Sequence, residues 1–233
     1  MTPKALIFDV FGTVVDWRSG IEREVAKAFS LKRIPVDAPA VADAWRKEYQ
    51  PAMERIRSGG RGYVALDVLH RENLETVLRR MGHLEKFSDD ELTELARAWE
   101  KLPPWGDAVP GLVRLKAKYP IAPCSNGSIA LMTHLARFGG LPWDCILGAD
   151  IAKDYKPKPR VYQASAEALR LAHGEVMMVA AHEDDLAAAR EAGLPTAYVP
   201  RPTEWGAPRD ASPKGDWDLV AEDFVALAEA LGA

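Results

Sequence analysis

The sequence has few of the features that hold a small secreted protein together or place a chain in a membrane. Its two cysteines, Cys124 and Cys145, lie in apolar runs and have neither paired nor metal-ligand spacing. This usage favours buried thiols in a reducing compartment. No long apolar run follows Met1, so we expect neither a signal peptide nor a membrane span. A cytoplasmic protein is the resulting expectation.

An excess of charge of one sign is also lacking. The 233 residues carry 30 Lys and Arg against 34 Asp and Glu, a net charge of −4, and the two signs are mixed along the chain. This distribution argues against nucleic acid as a partner. If the substrate is an anion, local groups have to hold it. The length fits one good-sized domain or a domain with an insertion.

Short apolar runs recur along the chain with helical patterns between them. This alternation indicates βαβ units and a mainly parallel sheet. The sequence therefore predicts an α/β fold with a doubly wound, Rossmann-like core. The predicted strands are residues 5–8, 121–124, 145–147, 176–181, 196–199 and 219–220.

One region has no strand pattern. Between residues 21 and 101 we predict only helices, at 21–31, 40–57, 63–81 and 89–101, with the sequence SGGRG at 58–62 as a break. We expect an inserted helical cap domain at 17–101 and an α/β core domain formed by 1–16 and 102–233. Such insertions cover the carboxyl ends of parallel strands, where open sheets bind ligands.

The first predicted strand ends on a single carboxylate, Asp9. Gly12 permits a tight turn after it, and the hydroxyl of Thr13 is placed to orient the carboxylate. A turn-capping role for Asp9 is the simpler alternative, because aspartate is common in turns. The surrounding motifs decide between these interpretations.

Three later segments also place polar side chains at predicted strand ends. Ser125 and Asn126 suit hydrogen bonding to an anion, although either residue also suits a helix cap. Lys156 lies on a bend restricted by prolines, where a solvated lysine is the alternative. Asp185 ends an acidic triplet that a first helical turn alone would explain.

The order acid, Ser/Asn, Lys, acid resembles the four motifs of the haloacid dehalogenase superfamily, and the resemblance covers the whole core. Phosphatases of that superfamily carry a second acid two residues after the nucleophile and further acids for Mg²⁺. Here those positions hold Phe11 and, in the fourth motif, Ala181. Phe11 cannot protonate a leaving alcohol, and Ala181 offers a hard cation no oxygen ligand. A Mg²⁺-dependent phosphatase of small metabolites is therefore the weaker alternative, and we expect no metal and no cofactor.

An aromatic residue at position 11 is typical of the L-2-haloacid dehalogenase branch, which the segments WR at 45–46, SNGS at 125–128 and YKP…RVY at 155–162 also resemble. The resemblance implies that Asp9 attacks the halogen-bearing carbon of a short (S)-2-haloacid, and that water then hydrolyses the ester to a 2-hydroxy acid. It implies a halide-binding role for Arg46 and a homodimer. Lys156 would hold Asp9 ionised, and Asp185 would hold Lys156 or position water. We expect Thr13 and Ser125 to be catalytic as well, and Phe11, Asn126 and Tyr162 to help bind the substrate or halide.

The substrate carboxylate would bind to backbone amides near Phe11–Gly12 and Ser125–Asn126. Two side chains have competing interpretations. Arg46 is either the halide ligand or a surface arginine paired with Asp43 or Glu48, and Tyr162 either packs under Lys156 or donates a hydrogen bond in the site.

The fourth motif departs from the family pattern. The better-known relatives carry Ser and Asn where this chain has Ala180 and His182. His182 is expected either to act in the site, by binding the halide or helping to activate water, or to cap the following helix. The departure also motivates an alternative of another class, a non-catalytic relic that binds an anion or a partner. For a working enzyme we expect small substrates, fluoroacetate among them.

Overall fold

The computed structural model describes residues 3–233. Its centre is a six-stranded sheet in which every pairing is parallel, with strand order β3-β2-β1-β4-β5-β6. This is the order of a Rossmann-like doubly wound sheet, and it confirms the predicted fold class. The strands are β1 (Ala5–Phe8), β2 (Ile121–Ser125), β3 (Leu147–Gly148), β4 (Val176–Ala180), β5 (Thr196–Tyr198) and β6 (Leu219–Val220).

β1 is a central strand. Its residue Leu6 pairs with Ile121 of β2 on one side and with Met177 of β4 on the other. All residues of β1, β2 and β4 are buried, which is why their sequences are continuous apolar runs rather than alternating ones. The residues that follow β1, β2 and β4 therefore meet at one edge of the sheet.

Four predicted strand boundaries need correction. Two of the differences are one residue each, since β4 ends at Ala180 rather than at 181 and β5 at Tyr198 rather than at 199. The third strand was expected at 145–147 but is Leu147–Gly148, because Leu147 and Gly148 pair with Cys124 and Ser125 at the end of β2. β2 itself extends to Ser125. The short apolar run at 145–147 does not indicate which of its residues reach the neighbouring strand, and only the pairing decides this.

Four α-helices lie within residues 17–101, where the sequence predicts the helical cap. Side-chain caps begin three of them: Asp16 accepts from Ser19 N, Asp37 from Ala40 N, and Ser88 forms a reciprocal capping box with Glu91. These helices are α1 (Trp17–Leu31), α2 (Ala38–Arg57), α3 (Leu66–Arg80) and α4 (Asp89–Ala96).

The helix expected at 89–101 is shorter than predicted. α4 ends at Ala96 and Arg97–Glu100 forms a 3₁₀ turn, in which the fully buried Trp99 stacks on His70 with ring centroids 4.2 Å apart. The helix expected at 63–81 begins only at Leu66. Tyr63 instead donates its hydroxyl to Asp150 Oδ1 at 2.8 Å, which ties the loop before α3 to the core.

The remaining helices belong to the core; α5 to α9 precede or connect its strands, and α10 follows the last strand, β6. α6 follows β2 and is capped by the hydroxyl of Ser128, which accepts from Leu131 N, whereas α9 follows β4. No helix in residues 3–233 is long and apolar enough to cross a membrane. The core helices are α5 (Ala108–Lys116), α6 (Ile129–Gly139), α7 (Ala149–Ala152), α8 (Pro159–Ala168), α9 (Glu183–Glu191) and α10 (Phe224–Ala230).

Candidate active site

Asp9 lies immediately after β1 and is the centre of a network of hydrogen bonds. Its Oδ2 accepts from Thr13 Oγ1 at 2.7 Å and lies 3.0 Å from His182 Nδ1, and its Oδ1 accepts from Lys156 Nζ at 2.8 Å. Asp9 is buried, with 7% of its surface exposed. The carboxylate is therefore held by three different parts of the chain and does not cap a turn.

The charge state of Asp9 follows from these partners. Burial by itself would raise the pKa of Asp9. The positive charge of Lys156 and the hydrogen bond and charge of His182 outweigh that effect and hold the pKa of Asp9 far below its usual value. The side chain is consequently an anion throughout the neutral range, which is the form a carboxylate nucleophile needs.

Lys156 bridges two carboxylates. In addition to Asp9 it contacts Asp185, whose Oδ2 lies 2.5 Å from Lys156 Nζ and whose Oδ1 accepts from Tyr162 Oη at 2.5 Å. Burial opposes the lysine charge, but Asp185 and Asp9 raise the pKa of Lys156 above its usual value. Of the two interpretations of Tyr162, hydrogen-bond donation is the one that the geometry matches.

Two polar side chains, Ser125 and Asn126, lie at the turn after β2. They do not both face the cleft, and the turn positions the backbone of Lys156. Asn126 Oδ1 accepts from the backbone amide of Lys156 at 2.8 Å and Asn126 also lines the cleft. Ser125 is fully buried, and its Oγ accepts from Gly127 N at 3.0 Å. The hydroxyl of Ser125 thus shapes the turn, and the catalytic role expected for it stays a prediction.

His182 joins Asp9 to a residue that the sequence did not single out, Glu204. His182 Nε2 lies 3.0 Å from Glu204 Oε2, and Trp17 Nε1 donates to Glu204 Oε1 at 2.9 Å. Burial would lower the pKa of His182, but its bonds to Asp9 and Glu204 raise it to about 10. The ring is therefore an imidazolium between two carboxylates.

This arrangement distinguishes between the two roles expected for His182. Although the residue precedes α9 at the N-cap position, its side chain makes no capping hydrogen bond. Both nitrogens face carboxylates, so the ring has no spare N–H for a leaving halide in the free protein, which differs from the halide contact expected from the sequence. Glu204 follows β5 in a loop with no motif of its own, and for that reason sequence reasoning missed it.

Gly12 makes room for the same network. Its φ is +94°, and a Cβ at this position would lie 2.2 Å from Glu204 Oε1 and 3.0 Å from His182 Cε1. The glycine is thus required both by the backbone conformation and by close approach. Its amide donates to Val15 O at 3.0 Å, which leaves the amides of Phe11 and Asn126 as the candidates for a substrate carboxylate.

Asp9 opens onto a cleft of about 790 Å³ that Arg46 and Tyr49 of the cap also line. The guanidinium of Arg46 packs over the rings of Tyr49 and Trp17, 4.3 Å and 5.2 Å from their centroids. Its Nη1 is buried and has no hydrogen-bond partner among residues 3–233. The unpaired donor suits an anion in the cleft.

The surface ion pair proposed as the alternative for Arg46 does not form. Asp43 pairs with Arg18, and Glu48 with Arg80.

Phe11 lies edge-on to Tyr49 and Trp99, with ring centroids 6.4 Å and 5.4 Å apart, so position 11 contributes an apolar wall. Ala181 contributes a backbone amide to Thr13 Oγ1 at 2.9 Å.

The charge on His182 predicts a specific pH dependence of stability. A folded-state pKa of about 10, against 6.5 for the free side chain, stabilises the fold fully below pH 6.5. This stabilisation is lost as the pH rises through 10. Between pH 6 and pH 10 we expect the unfolding free energy of the parent to fall by on the order of 4 kcal/mol more than that of a variant without the imidazole. Urea unfolding of the parent and of His182→Asn at both pH values measures it, and an equal pH dependence in both proteins would contradict it.

A family model described as haloacid dehalogenase-like hydrolase matches residues 3–193. (S)-2-haloacid dehalogenase 4A of Burkholderia cepacia is 30% identical over 203 residues, covering 85% of this chain and 83% of the relative. The (S)-2-haloacid dehalogenase of Xanthobacter autotrophicus is 29% identical over 202 residues, covering 85% and 75%.

Solved structures agree with this relationship. The crystal structure of a defluorinating L-2-haloacid dehalogenase is 50% identical with a TM-score of 0.96, covering 99% of this chain and 96% of the other. A second L-2-haloacid dehalogenase is 42% identical with a TM-score of 0.91, covering 98% and 99%. The chain belongs to the haloacid dehalogenase-like hydrolase family. The expected family and its α/β fold with a helical cap are confirmed.

Proposed function

We propose that this protein is a hydrolytic dehalogenase that converts short (S)-2-haloacids to 2-hydroxy acids without a metal or other cofactor. The observation that carries the proposal is the Asp9 carboxylate, which is kept ionised by Lys156 and His182 and shares a cleft with the unpaired guanidinium of Arg46. The 50% identity to a defluorinating L-2-haloacid dehalogenase supports the same activity.

In the first half of the reaction an oxygen of Asp9 attacks the carbon that bears the halogen. A carbon–oxygen bond forms as the carbon–halogen bond breaks, and the halide leaves with its electron pair on the opposite side, so the carbon inverts. Arg46 stabilises the developing halide charge. The product of this step is an ester of Asp9.

In the second half water attacks the carbonyl carbon of the ester. The bond between that carbon and the substrate oxygen breaks, which frees the 2-hydroxy acid and restores Asp9. Phe11 and Ala181 support this chemistry over phosphoryl transfer, because neither offers the oxygen ligand or the proton donor that a Mg²⁺-dependent phosphatase uses.

The direct experiment is to incubate the protein with each enantiomer of 2-chloropropionate in the presence of a chelator and to measure chloride. We expect chloride and (R)-lactate from the (S)-enantiomer. A single turnover in ¹⁸O-labelled water should place the label in Asp9 rather than in lactate. Phosphate release that requires Mg²⁺, with no chloride from any 2-haloacid, would favour the phosphatase instead. A relic that only binds an anion would form no covalent adduct on Asp9.

We also propose that the substrates are small and include fluoroacetate alongside chloroacetate, with bulkier 2-haloacids reacting more slowly. The defluorinating relative at 50% identity supports this range. Fluoride and chloride release from the two haloacetates, measured side by side with a longer 2-chloroacid, tests it. Chloride release without any fluoride would contradict the range and leave the Asp9 mechanism intact.

Replacing Arg46 tests the halide site. Arg46→Gln removes the cation from the cleft, and we expect halide release to slow by about 10²–10³-fold. Arg55→Gln is the matched control, since Arg55 is an exposed arginine of the same helix, α2. Steady-state chloride release with chloroacetate measures both variants. Equal loss in the two would mean that the cleft does not use Arg46 as its halide ligand.

Two further properties belong to the proposal. We infer a homodimer, as the family resemblance implies, which sedimentation equilibrium tests. We also infer a cytoplasmic location, where the unpaired Cys124 and Cys145 stay reduced. Cell fractionation tests the location.

A further inference from the structure

A continuous chain of hydrogen bonds leads from the Asp9 carboxylate into the protein. Asp9 Oδ2 lies 3.0 Å from His182 Nδ1, His182 Nε2 lies 3.0 Å from Glu204 Oε2, and Glu204 Oε1 accepts from Trp17 Nε1 at 2.9 Å. An imidazole that is fixed on one side by a buried carboxylate and faces the reacting group on the other has the geometry of a general base.

Glu204 is a buried residue whose carboxylate contacts His182. It is 4% exposed, and within residues 3–233 the ring of His182 is its ion-pair partner. The hydrogen bond and charge of His182 and the bond from Trp17 offset burial and hold the pKa of Glu204 below its usual value. Gly12 leaves the space that its carboxylate fills.

The other carboxylate near Asp9 is poorly placed to deprotonate water. Asp185 Oδ2 contacts Lys156 Nζ and its Oδ1 accepts from Tyr162 Oη, both at 2.5 Å. Each of its oxygens is therefore already engaged. His182 differs, because 26% of its side chain is exposed against 10% for Asp185, and because its partner at Nδ1 is Asp9, which loses its charge when the ester forms.

We propose that His182 is the general base that deprotonates the water hydrolysing the Asp9 ester, and that Glu204 is the positioning residue that orients its ring. The inference deepens the proposed function and rests on it. The distinct claim is that the second half of the reaction, and not the first, requires the histidine.

The charge of the His182 ring changes during the reaction in the order that a general base requires. In the free protein the ring is an imidazolium paired with two carboxylates. Formation of the ester removes the negative charge of Asp9, so one of the two groups that stabilise the imidazolium is lost and the ring releases its proton through the cleft. Neutral His182 then keeps its Nε2–H on Glu204 and presents the lone pair of Nδ1 to water.

The step balances in atoms and protons. Nδ1 takes one proton from water while the hydroxide oxygen bonds to the carbonyl carbon of Asp9. As the tetrahedral intermediate collapses, the bond from that carbon to the substrate oxygen breaks, and the departing alkoxide takes the proton from His182. The acid left on Asp9 passes its proton to the ring, which restores the ion pair. One proton is released per halide.

The experiment uses the full chain and (S)-2-chloropropionate in rapid-quench measurements. For His182→Asn we expect a burst of about one chloride per active site, then a decline of about 10²–10⁴-fold in turnover, the range that a general base contributes. Mass spectrometry should find a persistent adduct on the peptide that contains Asp9. Glu191→Gln is the matched control, because Glu191 is an exposed acid at the end of the same helix, α9, and does not line the cleft; it should turn over like the parent.

Two further measurements separate catalysis from structural support. Imidazole added to His182→Ala should restore hydrolysis of the accumulated ester. In Glu204→Gln the ester should also accumulate, and the rise of ester hydrolysis with pH should move to lower pH, because loss of the carboxylate destabilises the imidazolium. A role in packing alone would leave the position of that rise unchanged.

The outcomes are distinguishable. Parental turnover in His182→Asn without adduct overturns the inference, as does the absence of both burst and adduct, since the histidine would then act in the first half. An unshifted pH profile in Glu204→Gln together with no rescue by imidazole also overturns it. Failure of the parent to release halide from any 2-haloacid instead contradicts the proposed function itself.

Discussion

Asp9→Asn is expected to abolish halide release, with a loss of at least about 10⁴-fold, because an amide cannot serve as the nucleophile. The substitution preserves the shape of the side chain and its contact with Thr13. It removes the anion that both Lys156 Nζ and His182 Nδ1 contact. Chloride release from (S)-2-chloropropionate by a freshly prepared variant measures the effect, and circular dichroism verifies the fold.

The variant should also differ from the parent in the covalent modification of residue 9. Mass spectrometry of the parent in a single turnover should capture the ester on the peptide containing Asp9, whereas Asp9→Asn should remain unmodified. Asp43→Asn provides a comparison, because Asp43 is a carboxylate that lines the same cleft and pairs with Arg18. If Asp9→Asn released halide at the parental rate, an aspartyl ester could not be the intermediate.

Lys156→Met should have the second largest effect and should act on both activity and stability. The substitution leaves two buried carboxylates, Asp9 and Asp185, without the ammonium group that both contact. We expect unfolding to become easier by about 3–5 kcal/mol, the cost of breaking a buried ion pair. Loss of the cation also raises the pKa of Asp9, since the charge of Lys156 is the largest single effect that lowers it.

Halide release by Lys156→Met should fall by at least about 10³-fold at neutral pH. It should recover in part as the pH is raised, because the carboxyl group of Asp9, whose pKa is now higher, is then ionised more completely. Lys153→Met is the matched control, as Lys153 is an exposed lysine of the same region, 3.5 Å from Asp150. Urea unfolding and chloride release measure both variants. Parental stability in Lys156→Met would mean that the buried lysine does not hold the two carboxylates together.

The four motif residues show how far sequence reasoning reaches. Each of them follows an apolar run that the sequence predicts to be a parallel strand. The topology of the sheet therefore brings together the four residues Asp9, Asn126, Lys156 and Asp185 at one edge. The structure joins them by direct hydrogen bonds. Thr13 was expected to orient Asp9, and it donates to Asp9 Oδ2.

Other features have no local signal. Glu204 lies in a loop after β5, 195 residues from Asp9, and only the packing of that loop against Gly12 and Trp17 brings it to His182. The alternatives for Arg46 were likewise open in sequence, because Asp43 and Glu48 are within reach on the same helix. The pairing of these acids with Arg18 and Arg80 leaves Arg46 to the cleft.

The sequence by itself therefore determined the parallel α/β core, the helical insertion and the identity of the first carboxylate, since periodicity and order along the chain are local properties. Tertiary structure alone decided the protonation of His182, the partner that orients it and the freedom of Arg46. Those properties depend on which charges lie within about 4 Å of each other in a buried environment, and distances between residues far apart in the chain are set only when the chain is folded.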